Sequence, residues 1–287
     1  MSKINYIKLY LERRMLRIFL LGFMSGFPWV LIGSALSLWL KDNELSRSTI
    51  GWAGLIFSVY AINFLWAPII DRVHIPFLSK KIGHRKSWII SMQFVILICL
   101  ILWSTLNPVE SLWPVIAVGL GIAISSATQD ITIDALRIEQ IKEGESRAMS
   151  AGAAMSVVGW WTGYKIGGVV SLLSADFFQN QGVENYWQIS FIFLTIIIIL
   201  TSIGLIFIPE QSSKKRKLSQ DSNDKIILDR LGSSRKISKI VAWLHGVIIN
   251  PLTSFFIKNT TKVAIGILGF IFMFKIGEAF LGRMSII

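Results

Sequence analysis

Six apolar stretches, 18–40, 50–70, 87–106, 112–133, 148–173 and 187–208, run almost uninterrupted through the chain, and a seventh begins near Val263 and continues to Ile287. Each supplies the ~20 residues a helix needs to cross a ~30 Å hydrocarbon core. Lipid offers the backbone no hydrogen-bond partner, so such segments must satisfy themselves as helices. With 53% of its 287 residues hydrophobic, the chain carries more apolar surface, in longer runs, than a soluble core can hide. The expected fold class is an all-α, multi-pass membrane protein. The first stretch is too long for a signal-peptide core and lacks a small-residue cleavage site, so it is expected to be retained as a span.

A net charge of +12 would suit a nucleic-acid binder, but its distribution points elsewhere. The N-terminal arm, the second and fourth connections and the 209–262 segment hold 24 Lys and Arg, against two, Lys41 and Arg47, in the opposite loops. The positive-inside rule then sets the N-terminus in the cytoplasm. Anionic lipid head groups are the expected partners of these bases, and no nucleic acid is expected. Cys99 is alone within the third span, so no intrachain disulfide can form and a buried thiol is expected.

Spans one to three and four to six have similar lengths and loop spacings. A three-plus-three bundle, a long basic linker and a further span are laid out as in the major facilitator architecture. The expected divisions are 1–208, a six-span bundle; 209–262, a basic cytoplasmic linker; and 263–287, a seventh span opening a second half. Residues 209–224 are polar. Residues 225–249 mix Ile, Leu, Val and Trp243 with bases, and can be read as an amphipathic surface helix or as a loose linker.

Chemistry-bearing residues gather in four places. Asp71 and Arg72 close span two, and Gly83, His84, Arg85 and Lys86 open span three, a spacing similar to the signature loop of major facilitator transporters. Opposite charges there can clamp helix ends in one state and part in another, with simple anchoring as the alternative for the lysines. On span four, Ser126, Asp130, Asp134 and Arg137 form one helical stripe beside Gln129, and Asp134 can pair with Arg137. Carboxylates at membrane depth cost roughly 2.5–3.5 kcal/mol, which marks them as functional candidates. Counted from Leu112 at 1.5 Å per residue, Asp130 lies about 27 Å down, near the cytoplasmic boundary. A gating or coupling network with Arg72, Arg85 or Arg137 is therefore expected, with a proton or substrate site as the other reading.

On span five, Gly152, Ser156, Gly159, Gly163 and Gly167 recur at helical spacing and favour close helix contact. Lys165 sits about 200° around from Gly163 and Gly167 and near the span's midpoint, so it is expected to line a polar cavity. Trp160, Trp161 and Tyr164 can stack on sugar rings or simply pack. In the last span, Lys275 and Glu278 are three apart and can neutralise each other.

Several segments together resemble the AmpG-type muropeptide permeases of bacteria: L-G-F-M-S-G-F-P (21–28), F-L-W-A-P-I-I-D-R (64–72), A-T-Q-D-I-T-I-D-A-L-R (127–137), A-G-A-A-M-S-V-V-G (151–159), G-Y-K-I-G (163–167) and F-K-I-G-E-A-F (274–280). The resemblance implies proton-driven import of anhydro-muropeptides across the bacterial inner membrane, with no cofactor, no metal and no enzymatic activity. It implies proton-coupling or gating roles for Asp71, Arg72, Arg85, Asp130, Asp134 and Arg137. It places Gln129, Trp161, Tyr164, Lys165, Lys275 and Glu278 in the substrate cavity. Lys165 stands where the family commonly has arginine, which keeps the charge but loses bidentate recognition of carboxylates. Glu278 replaces a common aspartate.

Other readings follow from the same residues. The resemblance covers a first half plus one helix, so a transport-inactive remnant, or a chain that pairs with a missing C-terminal half or a paralogous chain, is an alternative. Another cargo of the superfamily, such as an acetyl-coenzyme A-like substrate, is a second. A membrane enzyme holding Mg²⁺ on Asp130 and Asp134 is a third, weakened by the bases around those acids.

Overall fold

The computed structural model describes residues 3–142, 144–210, 253, 255–257 and 259–284, and its described residues form helices and turns without strands. Two compact units divide the chain: Met1–Asn63 with Ile75–Glu210, and Phe64–His74 with Gln211–Ile287.

Among the described residues, five helical stretches are long and apolar enough to cross a membrane: Arg13–Asp42, Arg47–Leu65, His84–Trp103, Leu112–Glu139 and Tyr186–Ile206, all in the first unit but for Phe64 and Leu65. They correspond to expected spans one, two, three, four and six. The expected fifth span is a 35-residue helix, Ser146–Asn180. Its glycines, serines and Lys165 dilute its apolar character below that of the other five.

Span one is the core element, with 61% of its apolar window buried. Pro28 lies inside its helix and the turn Leu31–Ala35 is π-helical. Pro28 has no N–H to give the Met24 carbonyl one turn earlier. That carbonyl instead accepts the Gln129 side-chain amide from span four at 2.7 Å. Spans one and five interlock through small residues. A Cβ on Gly22 or Gly26 would run into the backbone carbonyl of Ser156 or Trp160, and one on Gly159 or Gly163 into that of Phe19 or Phe23. At Gly167 it would meet the Phe27 ring at 2.9 Å and Val30 at 3.3 Å. Backbones this close gain van der Waals contact that lipid alone does not supply.

Past the π turn, span one changes neighbours. Trp39 is fully buried against Phe191 of span six and Trp103 of span three, with ring centroids 4.9 and 5.9 Å apart. The Trp103 indole donates to the Val115 carbonyl at 3.0 Å, tying spans three and four. Buried Gln93 joins spans three and six, accepting from the Ser202 hydroxyl at 2.5 Å.

Span two departs from the continuous helix expected over 50–70. It runs as Arg47–Ala53, a 3-10 turn Gly54–Ser58, Val59–Ile62 and a second 3-10 turn Asn63–Leu65. Ser46 caps its start, accepting from the Thr49 N–H at 3.1 Å. Gly51, Gly54 and Asn63 are weak helix formers, and only 17% of its apolar window is buried, so packing does little to override them.

In the second unit, helix Ala67–Arg72 has Pro68 in its first turn, where a missing N–H costs nothing. Helix Thr261–Met284 contains most of the expected seventh span. The possible amphipathic helix over 225–249 lies outside the described residues.

Candidate functional site

Three spans of the first unit build one aromatic wall. Trp29 of span one is its centre, with ring centroids 5.2 Å from Phe57 and 4.5 Å from Tyr60 of span two. It also lies 5.5 Å from Trp160 of span five. Trp160 stacks face to face on Tyr164, one turn on, at 5.6 Å and 4° between planes. Trp161 stands edge-on to both, half its surface exposed, with the Lys165 ammonium 5.9 Å over its ring. The glycine face of span five is consumed by span one, which leaves Lys165 on the exposed side. Exposed aromatic faces with a cation beside them suit a ligand that carries rings and negative charge.

The span-four acids diverge. Asp130 is half-buried and accepts the Ser25 hydroxyl of span one at 2.7 Å. Asp134 is exposed and pairs with Arg137 at 3.0 Å. Asp130 is thus level with Ser25, about 18 Å from Arg13 along span one at 1.5 Å per residue. Span four continues past its apolar run to Glu139, about two and a half turns beyond Asp130. Contacts of Gly163 with Phe23 and of Gly167 with Phe27 bring Lys165 to within about one helical turn of the same level. Asp130, Lys165 and the wall therefore share one depth. Tyr60 itself is buried, so the wall reaches from the exposed side of span five into the interior of the bundle.

A second cluster joins the ends of spans three, four and six on the face that carries the N-terminus. Arg85 pairs with Glu139 at 3.2 Å, both largely buried. Glu210, just after span six, accepts the backbone N–H groups of Arg85 and Lys86 at 2.9 and 3.0 Å, capping the positive end of span three. Buried Lys86 returns its ammonium to the Ile206 and Ile208 carbonyls at 3.1 and 2.9 Å. Gln140 adds a bond to the Pro209 carbonyl at 2.9 Å. Gly83 has a positive φ of 106°, and a side chain there would strike Glu210.

The structure thus gathers Lys165, Trp161 and Tyr164 at the wall and puts Asp130 at its depth. Gln129, expected in the cavity, is fully buried and serves the Met24 carbonyl instead. Asp71 and Arg72 end helix Ala67–Arg72 in the second unit, where the Arg72 carbonyl meets the His74 ring at 3.0 Å. Lys275 and Glu278 lie on helix Thr261–Met284, but their side chains fall outside the described residues. Among the described residues, no three His, Cys, Asp or Glu side chains converge as metal ligands.

Sequence reasoning passed over Ser25, Trp29, Phe57, Tyr60, Glu139 and Glu210. Ser25 lay in the quoted L-G-F-M-S-G-F-P segment, and Pro209-Glu210 directly follows an apolar run. The rings of Trp29, Phe57 and Tyr60 gave no signal distinguishable from lipid-facing aromatics.

A model of the Major Facilitator Superfamily matches residues 18–285. A Rickettsia felis protein named AmpG 4 is 31% identical over 278 residues, covering 97% of this chain and 60% of the relative. The anhydromuropeptide permease of Escherichia coli K12 is 28% identical over 276 residues, covering 96% of this chain and 48% of the relative. A Rickettsia prowazekii protein named AmpG 3 is 29% identical over 281 residues, covering 98% and 60%. The chain spans about half to three-fifths of the length of these relatives.

Proposed function

The chain belongs to the major facilitator superfamily, a multi-pass membrane transporter family, and from that premise we propose that it takes part in proton-coupled import of anhydro-muropeptides. The direction is from periplasm to cytoplasm across a bacterial inner membrane, with the N-terminus and the basic loops inside. In this reading residues 1–208 form one half of the transport pathway. Similarity to the anhydromuropeptide permease of Escherichia coli supports the cargo.

The observation that carries the proposal is the shared depth of the aromatic wall, Lys165 and Asp130. Sugar rings stack on Trp160, Trp161 and Tyr164, and Lys165 neutralises a carboxylate of the cargo as a point charge. Asp130, which accepts from the Ser25 hydroxyl, is the group that takes and releases the proton. Asp134 and Arg137, with Arg85 and Glu139, form the ion pairs of the cytoplasmic mouth.

The test is accumulation of labelled anhydro-muropeptide by cells that lack their own permease and express this chain. The expected result is uptake that an uncoupler and Asp130→Asn each abolish. Well-inserted protein that accumulates nothing would sink the proposal for a chain of this length.

A further inference from the structure

A cavity of about 470 Å³ opens at the end of span one remote from the N-terminal arm. Its walls are Trp39, Asp42 and Asn43 of that end, the turn 104–107 after span three and the segment 184–188 that enters span six. All of these belong to the first unit. The aromatic wall is built instead by spans one, two and five, and its centre, Trp29, lies about 20 Å from Asp42 along span one at 1.5 Å per residue. The volume suits a small molecule. The charge is the unexpected property. In a chain of net charge +12, no residue lining the cavity is Lys, Arg or His, and two, Asp42 and Glu184, are acids. Neither carboxylate pairs with a basic side chain among the described residues.

The site is built rather than incidental. Asp42 Oδ2 accepts the buried Trp187 indole N–H at 2.8 Å and the Tyr186 hydroxyl at 3.2 Å, which leaves Oδ1 without a partner among the described residues. The Trp187 ring packs on Phe191, and Phe191 on Trp39, with centroids 6.1 and 4.9 Å apart. The Gln188 amide donates to the Leu106 carbonyl at 3.0 Å, tying spans three and six at the rim. Trp39, fully buried and itself lining the cavity, keeps an indole N–H without a hydrogen-bond partner among the described residues. Polar groups fixed in this way, on helix ends and over packed rings, need little ordering when a ligand arrives.

We propose that this cavity is a second binding site, for a small hydroxylated molecule that carries a primary ammonium. Asp42 Oδ1 and the Glu184 carboxylate accept the ammonium N–H groups. The Asn107 amide, whose oxygen already takes the Val109 N–H at 3.0 Å, donates to a ligand hydroxyl. An anion would meet two carboxylates with no cation between them and is repelled. A quaternary nitrogen has no N–H to give them. A free amino sugar and the amine head group of a lipid share the required chemistry. The site stands apart from the aromatic wall, so it goes beyond the transport reading, from which it takes only the side of the membrane it faces, the periplasm.

The experiment is saturation-transfer NMR on the purified full chain in phosphatidylcholine nanodiscs, with glucosamine as the probe. N-acetylglucosamine, which keeps the hydroxyls and loses the charge, is the control. Glucosamine should bind saturably and N-acetylglucosamine about tenfold or more weakly. Asp42→Asn and Glu184→Gln should each weaken glucosamine binding about tenfold. Glu184→Gln changes an exposed, unpaired side chain and so leaves the fold alone, and thermal melts check Asp42→Asn. Nanodiscs of phosphatidylethanolamine then separate the two sources. Loss of the glucosamine signal there assigns the site to the lipid head group, and unchanged binding assigns it to a free amine. No glucosamine binding in phosphatidylcholine, equal binding of the two sugars, or glucosamine affinity unaltered in both variants overturns the inference. Muropeptide uptake enters none of these readings, so either proposal can fail alone.

Discussion

Replacing Gln129 by Leu should destabilise the bundle by leaving the buried Met24 carbonyl of span one without its side-chain donor, and replacing Pro28 by Ala in the same chain should restore it. Pro28 cannot donate to the Met24 carbonyl, and the Gln129 amide, fully buried, fills that vacancy at 2.7 Å. Gln129→Leu leaves the carbonyl without this bond, a loss of about 1–3 kcal/mol for a buried acceptor. The same change removes the Gln129 carbonyl oxygen, which itself has no partner. That gain offsets part of the loss, so a net destabilisation of about 1–2 kcal/mol is expected. Pro28→Ala returns an N–H one turn from Met24, so the doubly substituted chain should recover most of the loss. The expected coupling is about 1 kcal/mol or more, measured by a double-mutant cycle of equilibrium unfolding in mixed micelles with circular dichroism as the probe. Additive single effects, with coupling inside about 0.5 kcal/mol, would refute the claim that Gln129 serves the carbonyl that proline exposes.

Three further outcomes are expected. Glu210→Ala removes an anionic cap from two backbone N–H groups and should lower stability by about 2 kcal/mol in the same unfolding assay, while Glu210→Asp recovers little because the shorter side chain falls short. Gly163→Leu drives a side chain into the Phe23 backbone and should cost about 3 kcal/mol or prevent insertion, read as loss of a monodisperse peak on gel filtration. Lys165→Gln should cut muropeptide uptake about tenfold or more at unchanged protein level and Lys165→Arg should not, whereas Trp113→Ala, at an exposed site remote from the wall, should leave uptake unaltered.

Most of the helical layout was legible because the bilayer reduces folding to length and hydropathy. The glycine stripe of span five could be read for the same reason: with no water to exclude, close backbones need small residues, and spacing alone reveals them. Span two was legible as a span, but not its two 3-10 turns, because an apolar run carries no sign of how tightly it will be packed, and its glycines and Asn63 decide the matter only where packing is loose. Gln129 was misread because its partner is a backbone carbonyl made available by a proline on another span. Nothing near Gln129 in sequence records that. The bond of Asp130 to Ser25 was equally illegible, because it joins residues 105 apart on different spans.

These ties also divide the bundle into parts of unequal freedom. Spans three, four and six are bound at one end by Arg85, Glu139 and Glu210, and toward the other by the Trp103 bond to Val115 and the packing of Trp103 on Phe191. Spans one and five are zipped backbone to backbone between Phe19 and Gly26, and glycine to side chain as far as Val30. A displacement within either group has to break buried polar bonds or separate interlocked glycines, each worth about a kilocalorie or more. Span two is interrupted twice by 3-10 turns and buries the least of its apolar surface of the five apolar spans. It also carries Phe57 and Tyr60, two of the rings around Trp29. Motion that rearranges the aromatic wall is therefore cheapest if span two makes it.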